Sequence, residues 1–200
     1  MSTHSTQNRR ERIIEAALDL FAAKGFDRTS TKEIARAAGV AEGLIFHHFD
    51  NKESLLAALF ETHRSYFGDL RALSSAPPDL PAEEVLPRLA TDALARLRRE
   101  SRIAIVLFAT AQTNPEVRAR LEAVIRDGTG HLARYLEARR DRGELREGLD
   151  VEAAAFAFLS PLFLHFLVHR DLPDADWEAR STAFVHGMVA TWLEGGRRSR

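Results

Sequence analysis

Apolar residues recur every three or four positions through nearly the whole chain, and no stretch alternates apolar and polar side chains as a half-buried strand would. The pattern predicts an all-α protein. Residues 9–25 (RRERIIEAALDLFAAKG) place Ile13, Ala16, Ala17, Leu20 and Phe21 on one helical face, and Gly25 closes the helix. Next come two short helices: Ile34, Ala35 and Ala38 share a face of the first, Gly39 ends it, and Val40 and Ile45 fill the angle between it and the second. A long helix is expected from Lys52 to about Leu73, with Leu55, Leu56, Leu59 and Phe60 inward, stopped by the proline-rich segment 74–81. Further helices are expected at 82–99, 102–113, 115–142, 151–170 and 175–194, with Asn114 and Asp150 as caps, Gly143 and Gly195-Gly196 as stops, and a bend at 127–130.

The two short helices carry the functional signal. Two helices meeting at a glycine turn, with small residues where they approach, form the frame that places a second helix in the major groove of DNA. On this reading Glu42, Gly43, Leu44, His47 and His48 lie on the outward side of the reader helix, while Phe46 and Phe49 latch it to its neighbours. Thr31 caps the first helix of the pair and touches a phosphate, and Asn51 caps the helix that begins at Lys52.

Residues 9–56 resemble the N-terminal domain of the tetracycline-repressor (TetR) family of bacterial regulators, through F-A-x-K-G-F, T-S-T-x-x-I-A-x-x-A-G-V, G-x-I-F-H-H-F and N-K-E-x-L in that order without gaps. The resemblance covers roughly a quarter of the chain. It implies a three-helix DNA-binding domain with a helix-turn-helix at residues 1–52 and a larger helical effector-binding and dimerisation domain at 53–200. The implied DNA contacts are Arg28, Thr31, Lys32, Ala41, Glu42, Gly43, Leu44, His47, His48 and Lys52. Ala41, Leu44 and Phe46 stand where the family often has hydroxyl side chains, which removes three potential phosphate contacts. Glu42 either accepts a hydrogen bond from cytosine N4 or points away, the second being the better reading.

Charge adds little. The chain carries a net charge of −1, and residues 1–52 hold eight basic and seven acidic side chains, so DNA binding requires a polarised face, formed by Arg9, Arg10, Arg28, Lys32, Arg36 and Lys52, and not an overall excess of positive charge. There is no cysteine and no N-terminal signal pattern, which points to the cytoplasm. The apolar run 153–168 falls short of the ~20 residues that cross a bilayer and contains Ser160, Pro161 and His165, so it is expected to be a buried helix and no membrane partner is expected.

That run is apolar on almost every side, which suggests a homodimer built from the last two helices, with Phe158, Leu162, His165, His169, Phe184, Met188 and Trp192 at the interface. Phe60, His63, Phe67, Leu107, Phe108, Gln112, Phe163 and Phe166 are the candidate walls of a site for a small hydrophobic or aromatic effector. Pro161 frees the Ala157 carbonyl in mid-helix. His165 and His169 have the spacing of metal ligands without a third partner on their helix, so neither a metal nor a cofactor is expected. No phosphate loop, nucleophile elbow or acid pair is present, which argues against an enzyme. The expected function is a repressor released from a palindromic DNA operator by its effector; an activator of the same family and an architectural DNA-binding protein without an effector are the alternatives.

Overall fold

A computed structural model describes residues 3–62 and 80–196. Its helices are α1 (Thr3–Lys24), α2 (Thr31–Ala38), α3 (Glu42–His48), α4 (Lys52–Thr62), α5 (Ala82–Arg99), α6 (Ser101–Thr110), α7 (Pro115–Asp141), α8 (Val151–His169) and α9 (Asp174–Gly196), and no strand occurs among the described residues. The all-α expectation holds. The part of the long fourth helix expected beyond Thr62 lies outside the described residues, as do His63 and Phe67.

The chain divides into two compact units. The first contains α1–α4 together with residues 102–121. Helix α1 packs against α2 and α4, and α2 packs against α3. Ile13, Ile14, Ala17, Leu18 and Phe21 of α1 meet a core shared with Ile34, Ala35, Ile45, Phe49, Leu55 and Leu59, all buried. Phe21 and Phe26 meet edge to face at 5.1 Å, which fixes the chain as it leaves α1. Arg102 ties α6 to α1, with Nη1 2.5 Å from Asp19 Oδ1 and Nη2 3.3 Å from Glu15 Oε2. Arg120 lies 3.4 Å from Glu61 Oε1 and 5.3 Å above the Phe60 ring.

The second unit contains α5, most of α7, α8 and α9. Helix α5 is amphipathic, burying Val85, Leu86, Leu89, Ala90, Ala93, Leu94 and Leu97 against α8 and α9. Arg98 clips its C-terminal end to the α8–α9 turn: Nη2 donates to Leu172 O at 2.6 Å and to Asp174 Oδ1 at 3.1 Å, and the guanidinium lies 5.1 Å from the Trp177 ring. The Tyr135 hydroxyl donates to Leu80 O at 2.7 Å, and burial raises its pKa.

Helix ends follow the expected chemistry. Asn114 Oδ1 accepts from Val117 N at 3.1 Å, Asp150 Oδ1 accepts from Glu152 N and Ala153 N, and Gly143 adopts a positive φ of 77°. At 127–130, where a bend is expected, α7 remains a continuous helix through both glycines, and the Thr129 hydroxyl donates back to Ile125 O at 2.9 Å. Pro161 likewise sits inside an unbroken α8.

Candidate DNA-binding surface

The first helix of the pair is fixed at both ends. Its N-cap is Ser30 and not Thr31: Ser30 Oγ accepts from Glu33 N at 3.3 Å while Ser30 N donates to Glu33 Oε2 at 3.0 Å, a complete capping box. Thr31 is instead the first helical residue, one step past the position whose backbone is extended. Lys24 Nζ lies 2.6 Å from Glu33 Oε1. That hydrogen bond, followed by those from Ser30, lowers the Glu33 pKa to about 2.

At the other end Gly39 has φ 65°, which lets Gly39 N reach Arg36 O at 3.2 Å and Val40 N reach Ala35 O at 3.0 Å. The Arg12 guanidinium donates to Ala38 O, covering a carbonyl at the negative end of α2. A Cβ at position 39 would lie 2.8 Å from Arg12 Nη2. Gly39→Ala should therefore destabilise the first unit by about 1–2 kcal/mol from the left-handed backbone alone, with a further loss as Arg12 is displaced. Urea denaturation measures this; an unchanged midpoint would contradict the role given to the turn.

Helix α3 is held by few contacts. Its one buried residue is Ile45, Val40 is half-buried beside it, and its N-cap, Ala41, supplies no side-chain hydrogen bond. The residue after the helix, Phe49, is buried with the Arg10 guanidinium 5.3 Å from its ring. Phe46 does not share in this latch: it is 53% exposed. Counting around the helix gives the reason. Ile45 takes the inward direction, and at 100° per residue positions 43 and 47 fall on the opposite side while position 46 lies about 100° round on the flank, where its ring is left to solvent.

The candidate contacts therefore sort by position. Arg28, Lys32, Ala41, Glu42, Gly43 and His47 are exposed, and Leu44 is half-buried. Arg28 Nε donates to Lys24 O at 3.0 Å. Thr31 Oγ1 donates to Glu42 Oε1 at 3.1 Å, which turns that carboxylate toward α2. His48 is half-buried, its Nε2 has no hydrogen-bond partner, and burial, followed by the charges of His47, Arg10 and Arg9, lowers its pKa.

Lys52 occupies a different setting from the one expected. Its Nζ donates to Phe26 O at 2.8 Å and Thr29 O at 3.1 Å, with Asp27 O at 3.5 Å, and lies 4.3 Å from the Phe26 ring centroid. The ammonium is thus coordinated by the α1–α2 loop. Asn51 caps α4 as expected, its Oδ1 accepting from Ser54 N at 2.7 Å.

The described effector candidates are divided between the two units. Phe60 and Leu107 are buried, while Phe108 and Gln112 are exposed, all within the first unit, where Gln112 Nε2 donates to Phe108 O at 3.0 Å. Phe163 and Phe166 belong to the second unit, with ring centroids 5.9 Å apart. Among the dimer candidates, Phe158, Leu162 and His165 are buried inside the protomer. Phe184, Met188, Trp192 and His169 are half-buried. Trp192 Nε1 donates to Ala154 O at 3.3 Å, and its ring meets Phe158 edge-on at 5.8 Å. His165 stacks on Phe184 at 4.3 Å and lies 3.2 Å from the Ser181 hydroxyl, with His169 at 4.7 Å between ring centroids. The side chains of α8 that face outward are others: Phe156, Leu164 and Val168 are 55%, 62% and 66% exposed.

A capped helix, a glycine turn and a short second helix with its outer arc open to solvent define a helix-turn-helix transcriptional regulator. The profile described as "Bacterial regulatory proteins, tetR family" matches residues 13–59, and that described as "Tetracyclin repressor-like, C-terminal domain" matches residues 81–185. The chain belongs to the tetR family. It is similar to the fatty acid metabolism regulator protein of Bacillus subtilis, at 31% identity over 71% of this chain and 73% of that one. It is also similar to the uncharacterised regulator YvkB of the same species, at 31% identity over 90% and 97%. Among solved structures it resembles the fatty acid degradation regulator FadR of Bacillus halodurans, with 27% identity, a TM-score of 0.71, and coverage of 96% of this chain and 97% of that one.

Proposed function

We propose that this chain is a cytoplasmic, homodimeric repressor, without enzymatic activity, that leaves a near-palindromic operator when a small hydrophobic or aromatic effector binds. Residues 1–52 read DNA, and residues 53–200 bind the effector and pair the two copies. The observation that carries this reading is the outer arc of α3, open to solvent on a helix whose one buried residue, Ile45, fixes its orientation. Arg28, Lys32 and the exposed Arg9, Arg10 and Arg36 supply phosphate contacts, and Thr31 and His47 supply polar groups beside them. Two-fold symmetry presents the two reader helices to successive major grooves roughly 34–36 Å apart.

The pairing surface in this reading is the outward stripe of α8, Phe156, Leu164 and Val168, beside the exposed small residues Ala179, Ala183 and Ala190 of α9. Solvent would not ordinarily be left against such a stripe, and small side chains allow a second pair of helices to approach closely. Leu164→Glu combined with Val168→Glu should yield a folded monomer with operator affinity reduced at least tenfold. Sedimentation velocity decides it, and a persistent dimer would move the interface elsewhere.

The similarity to fatty acid regulators adds a hydrophobic chain to the effector classes that the sequence suggests. The test of function is selection of bound duplexes from a random DNA pool, followed by titration of the winner with long-chain acyl-CoA and with planar aromatic compounds. An enriched palindrome released about 5- to 150-fold by one of these classes is the expected result, corresponding to a coupling of ~1–3 kcal/mol. A palindrome that no such compound releases would overturn the effector assignment, and no enrichment at low salt would overturn the regulator itself.

A further inference from the structure

Helix α3 lacks the side chains that most often read bases. Its sequence, EGLIFHH, contains no arginine, lysine, asparagine or glutamine, so it offers no bidentate contact to guanine or adenine. Its carboxylate, Glu42, accepts a hydrogen bond from Thr31 Oγ1 at 3.1 Å. What remains on the outer arc is Gly43, Phe46 and His47, all exposed. Phe46, at 53% exposure, is the largest of these and wholly apolar. Among the described residues no aromatic contact accounts for its position: His47 meets His48, and His48 meets Phe49. One turn earlier Gly43 leaves open space, since a Cβ there would meet nothing within 4 Å. A bare backbone beside a projecting ring lets the helix approach a groove floor closely at one point while the ring reaches it at the next.

We infer that Phe46 is the principal specificity-determining residue of this regulator and reads thymine, by packing its ring against the C5-methyl group in the major groove of each half-site. The inference rests on the DNA-binding reading above and deepens it by naming the class of operator. The thymine methyl is the apolar feature of the major-groove edge, and an aromatic side chain suits it. Phe46 thereby gains on binding the burial that the free protein denies it. His47, beside it, supplies a single hydrogen bond to a neighbouring base or phosphate.

The experiment uses the full chain and the duplex it selects from a random pool. Each thymine of the half-site is replaced in turn by deoxyuridine, which removes the methyl group and leaves the Watson–Crick pair intact. Wild-type affinity should fall about fourfold for the one thymine under Phe46, and about fifteenfold when that thymine is replaced in both half-sites, as burial of one and two methyl-sized groups predicts. Phe46→Ala, at an exposed position, should remain folded by circular dichroism, bind the selected duplex more weakly, and no longer distinguish thymine from deoxyuridine. Gly43→Ala should keep the fold and weaken binding to both duplexes alike. If the wild type binds thymine and deoxyuridine duplexes equally at every position, or if Phe46→Ala keeps the full discrimination, the inference is overturned while DNA binding stands. Failure of the wild type to enrich any sequence would overturn the regulator reading and this inference together.

Discussion

Lys52→Met should lower the stability of the first unit by about 2–3 kcal/mol, because it removes a charge-assisted set of hydrogen bonds to the α1–α2 loop and a cation held over Phe26. The loss has two parts. Nζ no longer satisfies the carbonyls of Phe26 and Thr29, and the loop that leads into Ser30 loses the anchor joining it to the start of α4. Because that loop positions the capping box of α2, a weakened loop reaches the reader helix indirectly. Thermal denaturation should show a midpoint lower by roughly 4–12 °C. The opposite pattern, an unchanged midpoint with weaker DNA binding at all sequences, would mean that Lys52 acts chiefly on phosphate. Lys52→Arg should not restore stability, since a planar guanidinium cannot replace a compact ammonium among converging carbonyls.

Ile45→Ala should cost about 2–5 kcal/mol, the usual range for truncating a buried isoleucine, and its effect on DNA binding should exceed its effect on the rest of the fold. Ile45 is 1% exposed and is the one buried side chain of a seven-residue helix. So short a helix has little stability of its own, and tertiary packing holds it. Hydrogen exchange should show the α3 amides losing protection while those of α1 around Ile13 and Leu18 keep most of theirs. Sequence-specific binding should fall below detection at an ionic strength where the wild type binds. Intact protection across α3 in this variant would show that Phe49 and the Arg10 contact alone hold the helix.

These two variants bear on regulation as well as on stability. Helix α1 is joined to α6 through Arg102, and α4 to α7 through Arg120, by exposed or half-exposed ion pairs that contribute little stability individually. The reader helix itself depends on one apolar side chain and the residues that flank it. An element held this lightly can change position for a small free-energy difference, which is what a coupling of ~1–3 kcal/mol requires.

The sequence by itself determined the helical class, most helix boundaries, the caps at Asn51, Asn114 and Asp150, the glycine turn at Gly39 and the family. Each is local information: a 3.6-residue period, a cap or a turn is written in adjacent residues. The helix-turn-helix was legible because its apolar positions are few and its turn requires a positive φ. What the sequence could not determine was direction within a helix that is apolar on all sides, or the partner of a charge far away in the chain. In α8 nearly every residue is apolar, so periodicity could not assign Phe158 and Leu162 to the interior and Phe156 and Leu164 to the outside; packing against α5 and α9 decided it. In α3, too short to show a period, Phe46 read as a latch beside Phe49, and only the packing of the first unit buries Phe49 and leaves Phe46 to solvent. The family resemblance and the need for a basic face place Lys52 among the DNA contacts, and the structure surrounds its ammonium with carbonyls 23 and 26 residues away in the chain. Such long-range contacts have no signature in local composition, so only the tertiary structure could decide them.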